Sequence, residues 1–317
     1  MEIARDTLLW ASENDRLRAL VPHLPFVQRA VRRFMPGERL DDGVDAARRL
    51  QDRGLPTTFT HLGENVHQKE EAEAATQGYL DALDRIAEAG LDAEVSVKLT
   101  HLGLDLDPGL AAANVERLVE RASPTGRWVW IDMEASAFVE RTVEVYRRVL
   151  EQAPLVGLCL QAYLHRTPRD LEELLPLGPS IRLVKGAYRE PEEVALATRA
   201  EHDVAFFSLS ETLLGGLKAG KVRRFAAATH DLALLGKVAS ASRSIGLPPT
   251  AWETQMLYGI RQGDQFRLLE RGYPVRTLVS YGPAWYPWYV RRLAEKPSNV
   301  WFVVRNVFAR DASDAGA

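Results

Sequence analysis

The stretch that decides the fold is residues 93–133, AEVSVKLTHLGLDLDPGLAAANVERLVERASPTGRWVWIDM. It opens and closes on short runs of β-formers, AEVSVKL (93–99) and RWVWIDM (127–133). Between them DPGLAAANVERLVERAS (107–123) begins with Asp-Pro, a good helix start because the proline nitrogen needs no partner there. Strand, helix and strand in these 41 residues make a βα unit running into a second parallel strand, with the usual right-handed crossover.

The same rhythm continues on both sides. PTTFTHL (56–62), LVGLCLQ (155–161), SIRLVKG (180–186), VRRFAAAT (222–229), PTAWETQM (249–256) and VRTLVSY (275–281) bring the candidate strands to eight. Several are apolar on both faces, as parallel strands covered by helices should be. ENVHQKEEAEAATQGYLDALDRIAEAG (64–90) is rich in strong helix formers and ends in glycine. PEEVALATRAEHDVAFFSLSETLLGGL (191–217) begins with proline and two acids, which suits the helix dipole. Eight such units in about 250 residues predict one closed (βα)8 TIM barrel of the α/β class. The open doubly wound alternative is weakened, because no GxGxxG follows the first strand and no GxxxxGK[ST] occurs. Residues 1–54 read as an N-terminal helical extension, 55–308 as the barrel catalytic domain and 309–317 as a disordered tail.

Composition narrows the function. Forty basic residues against 43 acidic ones give a formal net charge of -3, which argues against a bulk nucleic-acid binder. No apolar run approaches the ~20 residues that span a bilayer. The start, MEIARDTLLWASENDR, has acids where a secretory signal needs a basic, then apolar, segment, so a cytoplasmic protein is predicted. The amphipathic segment LVPHLPFVQRAVRRFM (20–35) is read as a helix packed under the barrel in preference to one that touches a membrane. The lone Cys159 lies in an apolar run and excludes both intramolecular disulfides and multi-cysteine metal sites. The histidines are scattered without HxH or HExxH spacing, so no metal ligand set is predicted.

Barrel active sites sit at the C-terminal ends of the strands. That rule selects Thr60, His61, Lys98, Asp132 and Glu134, then Gln161, Arg182 and Lys185. It continues to Thr229, His230, Glu253, Gln255 and Tyr281. In IRLVKGAYRE (181–190) two cations flank a small-residue turn, so they could hold a phosphate or an anionic ring; an ordinary βα turn reads the same way. In WYPWYVRRLAEKPSNVWFVVRN (285–306) the adjacent Arg291 and Arg292 could grip a carboxylate bidentately, against the plain alternative of a solvated arginine pair. Two functions can be read from these residues as they stand. One is a barrel lyase with Lys98 or Lys185 as Schiff-base amine. The other is a binding module using the aromatic–arginine segment.

VSVKL, WIDMEAS, LQAYLHRT, IRLVKGAY, ATHD, ETQMLYG and YVRRLAE, in that order, resemble the strand-end motifs of the flavin-dependent proline dehydrogenases from about Thr57 to Phe308. The resemblance implies FAD in a distorted barrel whose last helix sits over the mouth. It implies oxidation of L-proline to Δ1-pyrroline-5-carboxylate, with electrons passed to a membrane quinone by an enzyme peripheral to the inner membrane. The chain's end soon after the barrel suggests the monofunctional bacterial form. Carried over by motif, Arg291 and Arg292 grip the proline carboxylate, Lys98 and Asp132 line the substrate site, and Leu257 packs on the ring. Arg182 lies near the flavin N5, with Gln161, Val184, Lys185, Gly186 and Ala187 along the ring system. Thr198, Arg199, Thr229, His230 and Glu295 reach the phosphates, ribose or adenine. Trp288 and Leu278 stand where relatives often carry tyrosine, which bears on substituted prolines. Glu64, after the first strand, is expected to reach Arg291 across the mouth as an ion-pair gate, or else only to support its helix N-terminus.

Overall fold

The structure, a computed structural model, describes residues 31–286. The expected N-terminal helices before residue 31, the helix over the mouth and the tail lie outside the described residues.

An N-terminal helix, α1 (Leu40–Gln51), leads into the barrel. The chain then runs β1 (Thr57–His61), α2 (Lys69–Glu88), β2 (Ala93–Lys98), α3 (Pro108–Ala122), β3 (Val129–Asp132) and α4 (Val139–Gln152). It continues through β4 (Val156–Gln161), α5 (Thr167–Leu174), β5 (Ser180–Val184), α6 (Arg199–Lys218) and β6 (Arg224–Ala228). It ends with α7 (Leu232–Ser244), β7 (Glu253–Leu257), α8 (Gln262–Glu270) and β8 (Val275–Tyr281). All eight strands are parallel in chain order, and β1 pairs with β8 to close the barrel.

Three sequence boundaries move, each for a local reason. Helix α2 starts at Lys69 rather than residue 64, because the Glu71 carboxylate accepts the Gln68 and His67 backbone N–H groups and stops the helix there. Residues 191–198 are not helical: the backbone at Val194 and Leu196 pairs with His165 and Tyr163 after β4. Helix α6 begins only after Thr198, whose side chain forms a capping box with Glu201. Pro249–Ala251 forms a short 3-10 turn, so β7 starts at Glu253.

Side chains alternate along each strand between helix layer and barrel interior. The helix-facing set is apolar: Phe59, Val95, Ile131, Leu158, Leu183 and Phe225 are fully or almost fully buried. At ~25 cal/mol per Å2 this layer supplies most of the driving force for closure. The interior departs from the expected apolar strands. Its positions include Glu94, Ser96, Asp132, Arg182, Arg224, Glu253, Gln255 and Arg276, joined across the lumen by hydrogen bonds and ion pairs. Trp130 fills the middle, and Gly157 on β4 makes room for it: a Cβ there would sit 2.4 Å from the indole ring.

His61, expected at the mouth, turns outward into the helix layer. Its ring stacks on Tyr281 at 5.1 Å and lies 5.4 Å from His101. Burial lowers both imidazole pKa values, that of His101 to about 4, with further lowering there from His61 and Lys98 against the opposing Glu64. In the unfolded chain His101 binds its proton near pH 6.5, while in the fold it stays neutral to about pH 4. The unfolded state therefore holds more protons in that window, and stability is lost as the pH falls through it. A gap of that size corresponds to roughly 3 kcal/mol. His101→Phe is expected to flatten the fall in melting temperature between pH 7 and pH 5; an unchanged slope in thermal melts contradicts this account.

Candidate active site

The carboxyl ends of β2 to β8 converge on one polar mouth. Lys98 and Asp132 are register partners at the ends of β2 and β3. Arg182 projects from the middle of β5 and is 2 % exposed. Its Nη2 donates to Asp132 Oδ1 and to Ser96 Oγ, both at 2.5 Å, and its Nη1 donates to Gln255 Oε1 at 3.2 Å. Ser96 Oγ also donates to Asp132 at 2.9 Å. The guanidinium carbon lies 5.1 Å from the Trp130 ring. A buried arginine needs acceptors on every side, and these four groups supply them from β2, β3 and β7.

The Lys98 ammonium donates to Glu64 Oε2 at 2.5 Å. Glu64 therefore leans over β2. The cause is local: Asn65 adopts φ 55°, its N–H donates to Thr100 Oγ1, and the Val66 N–H donates to the Thr100 carbonyl. Thr100 is itself held by Glu134, which accepts from its backbone N–H at 3.0 Å and from its hydroxyl. Burial raises the Glu134 pKa against the opposing pull of Lys98 and Thr100. The expected gate partner Arg291 lies outside the described residues, as do Arg292, Glu295 and Trp288.

At β4 and β5, Gln161 is 2 % exposed and donates through Nε2 to the Glu134 carbonyl at 2.8 Å. Its Oε1 faces the Ala187 N–H at 3.4 Å. Val184 ends β5 and is half-buried. Gly186 has φ 124°, and a Cβ there would meet the Tyr163 ring at 2.2 Å, so the turn needs glycine twice over. Lys185 is not an isolated cation. Its ammonium donates to Asp203 and Asp231, and although burial pulls its pKa down, the two carboxylates raise it overall. A lysine held protonated in this way is a poor Schiff-base nucleophile.

Thr198 and Arg199 open α6 on the exposed side of this turn. Thr229 is 9 % exposed, and its Oγ1 accepts the Asp231 N–H. His230 Nε2 accepts the Leu257 N–H at 3.3 Å, which ties the ends of β6 and β7 together. The structure thus gathers Lys98, Asp132, Arg182, Gln161 and the β5 turn around one opening, with Leu257 and His230 across from them. Sequence reasoning did not see Ser96 or the part Gln255 plays, and it put Glu253 at the mouth, whereas Glu253 is the first residue of β7, at the other end of the barrel. The signal for Ser96 and Gln255 was available in parity: Ser96 shares its strand face with Lys98, and Gln255 with Leu257.

A family model described as proline dehydrogenase matches residues 44–305. Proline dehydrogenase 2 of Bacillus subtilis subsp. natto is 33% identical over 308 residues, covering 97% of this chain and 99% of the relative. Proline dehydrogenase of Deinococcus radiodurans is 34% identical over 280 residues, covering 87% of this chain and 89% of the relative. The crystal structure of proline utilization A (PutA) from Bdellovibrio bacteriovorus, inactivated by N-propargylglycine, superposes with a TM-score of 0.80 at 21% identity. That match covers 96% of this chain and 40% of the longer protein.

Proposed function

This chain belongs to the proline dehydrogenase family, and from that we propose that it oxidises L-proline to Δ1-pyrroline-5-carboxylate with FAD as the hydride acceptor and a membrane quinone as the final electron acceptor. The observation that carries the reading is the family match across residues 44–305.

The residues at the mouth fit a flavin by their chemistry. An isoalloxazine edge is rich in acceptors, and the cationic Arg182 and the second amide hydrogen of Gln161, whose first goes to the Glu134 carbonyl, stand on the strands that lead to a glycine turn. When bound, FAD supplies a two-electron acceptor that takes a hydride at N5. The chain's own work is positional. In this proposal Arg291 and Arg292 hold the substrate carboxylate, and Leu257 packs on the pyrrolidine ring. Lys98, paired with Glu64, and Asp132, paired with Arg182, line the substrate site. The substrate amine reacts in its neutral form, because its lone pair becomes the C=N π bond as hydride leaves C5. Arg182, a fixed buried cation, would favour negative charge on a bound flavin without reorganising. Thr198, Arg199, Thr229, His230 and Glu295 serve the remainder of the cofactor. The enzyme is proposed to be cytoplasmic and to meet quinone at the membrane surface; no helix among the described residues is long and apolar enough to cross a membrane.

Anaerobic titration tests the whole reading. Purified protein should be yellow, release FAD on denaturation and bleach with excess L-proline. Colourless protein, or colour untouched by proline, contradicts it.

A further inference from the structure

Below the mouth, the barrel interior carries a second cluster of charge. Arg224 donates to Glu94 at 2.6 Å and to Glu253 at 2.8 Å, and Arg276 lies 3.5 Å from each of the same carboxylates. Trp130 Nε1 donates to Glu94 at 2.7 Å. Two side chains stand between this cluster and Arg182: Trp130, whose ring lies 5.1 Å from the guanidinium, and Gln255, 4 % exposed, which alone of the two hydrogen-bonds both. Its Oε1 accepts from Arg182 Nη1 at 3.2 Å, and its Nε2 donates to Glu253 Oε1 at 2.6 Å. The orientation of the amide is fixed by its neighbours, since a guanidinium can only donate and a carboxylate can only accept.

We propose that Gln255 is a positioning residue that sets the Arg182 guanidinium at the mouth by joining it to the charge cluster at the barrel base. Neither a hydrocarbon nor an ionised carboxylate can do both halves of this task. A hydrocarbon leaves Arg182 Nη1 and Glu253 Oε1 short of partners in a buried place. A carboxylate satisfies Arg182 but sets like charge against Glu253. With Gln255 in place, Arg182 is drawn toward Asp132 and Ser96 on one side and held back on the other. Without it, the guanidinium shifts toward Asp132, away from whatever it must stabilise above. The role rests on the proposed function, in which Arg182 faces the flavin.

The two ends of the amide can be separated by substitution in the holoenzyme. Gln255→Met is expected to lower kcat about tenfold with the proline KM changed less than threefold, because both ends of the amide are committed to Arg182 and Glu253. The midpoint potential of the bound flavin should move to a more negative value. Gln255→Glu keeps the acceptor for Arg182, so its kcat should fall less than threefold while its melting temperature drops from the new repulsion with Glu253. Equal kcat losses in the two variants, or an unshifted flavin potential in Gln255→Met, overturn the positioning role. Should Gln255→Met fail to fold, Gln255→Glu decides alone: a lowered melting temperature with kcat largely kept supports the proposal, and a tenfold loss of kcat overturns it. Wild-type protein that does not bleach with proline overturns the underlying reading instead, so the two failures are distinct.

Discussion

Arg182→Met is expected to lower kcat for proline oxidation by about 10^2–10^3, the largest catalytic effect of any described residue. The argument has two parts. On the proposed function, the substitution removes a fixed, buried cation from the place where negative charge would develop. It also leaves the Asp132 carboxylate, which accepts from Arg182 and Ser96, with the serine hydroxyl alone of these two. Rapid-reaction measurement of anaerobic flavin reduction isolates the step, and the proline KM should change far less than kcat. Arg182→Lys should recover only part of the rate, since one ammonium cannot reach Asp132, Ser96 and Gln255 with the geometry of a planar guanidinium. A loss below fivefold in Arg182→Met means that Arg182 does not face the reacting ring.

The largest effect on stability is expected from Arg224→Met. Arg224 bridges Glu94 and Glu253, both almost wholly buried, and lies 5.2 Å and 5.3 Å from the rings of Trp128 and Trp130. Burial opposes its charge, but the two carboxylates outweigh that and hold its pKa above the ordinary arginine value. Removing it leaves two carboxylates in the lumen with Arg276 as their remaining cation, at 3.5 Å. Breaking a buried pair from one side costs about 3–5 kcal/mol. In a chain of this size that corresponds to a fall in melting temperature of roughly 5–8 °C. Replacing Arg224, Glu94 and Glu253 together by apolar residues of similar volume should cost less than the single change, because no charge is then left behind. Thermal melts of the single and triple variants check both statements.

Much of the fold was legible in sequence because it depends on local pattern. Asp107 and Pro108 announce α3, and the run VRTLVSY is β8 to the residue. Residues 191–198 were misread as helix because their fate depends on backbone partners after β4, which no local pattern records. The mouth was legible by another route: the rule that barrel sites sit at strand ends, reinforced by family motifs. The inner charge network was not legible, since Arg224 and Glu94 stand 130 residues apart and meet only when the barrel closes. The lean of Glu64 over β2 depends on a single left-handed residue, Asn65, and on its tie to Thr100.

The inner network also bears on how the molecule assembles. The acids Glu94 and Asp132 belong to β2 and β3, and the arginines that neutralise them belong to β5, β6 and β8. Each of these contacts joins the first half of the barrel to the second. A first half released on its own would keep Glu94 and Asp132 but lose the arginines that neutralise them, whereas the second half would keep Glu253 beside its own Arg224 and Arg276. The first half of the barrel is therefore the one that depends on closure for its counter-ions.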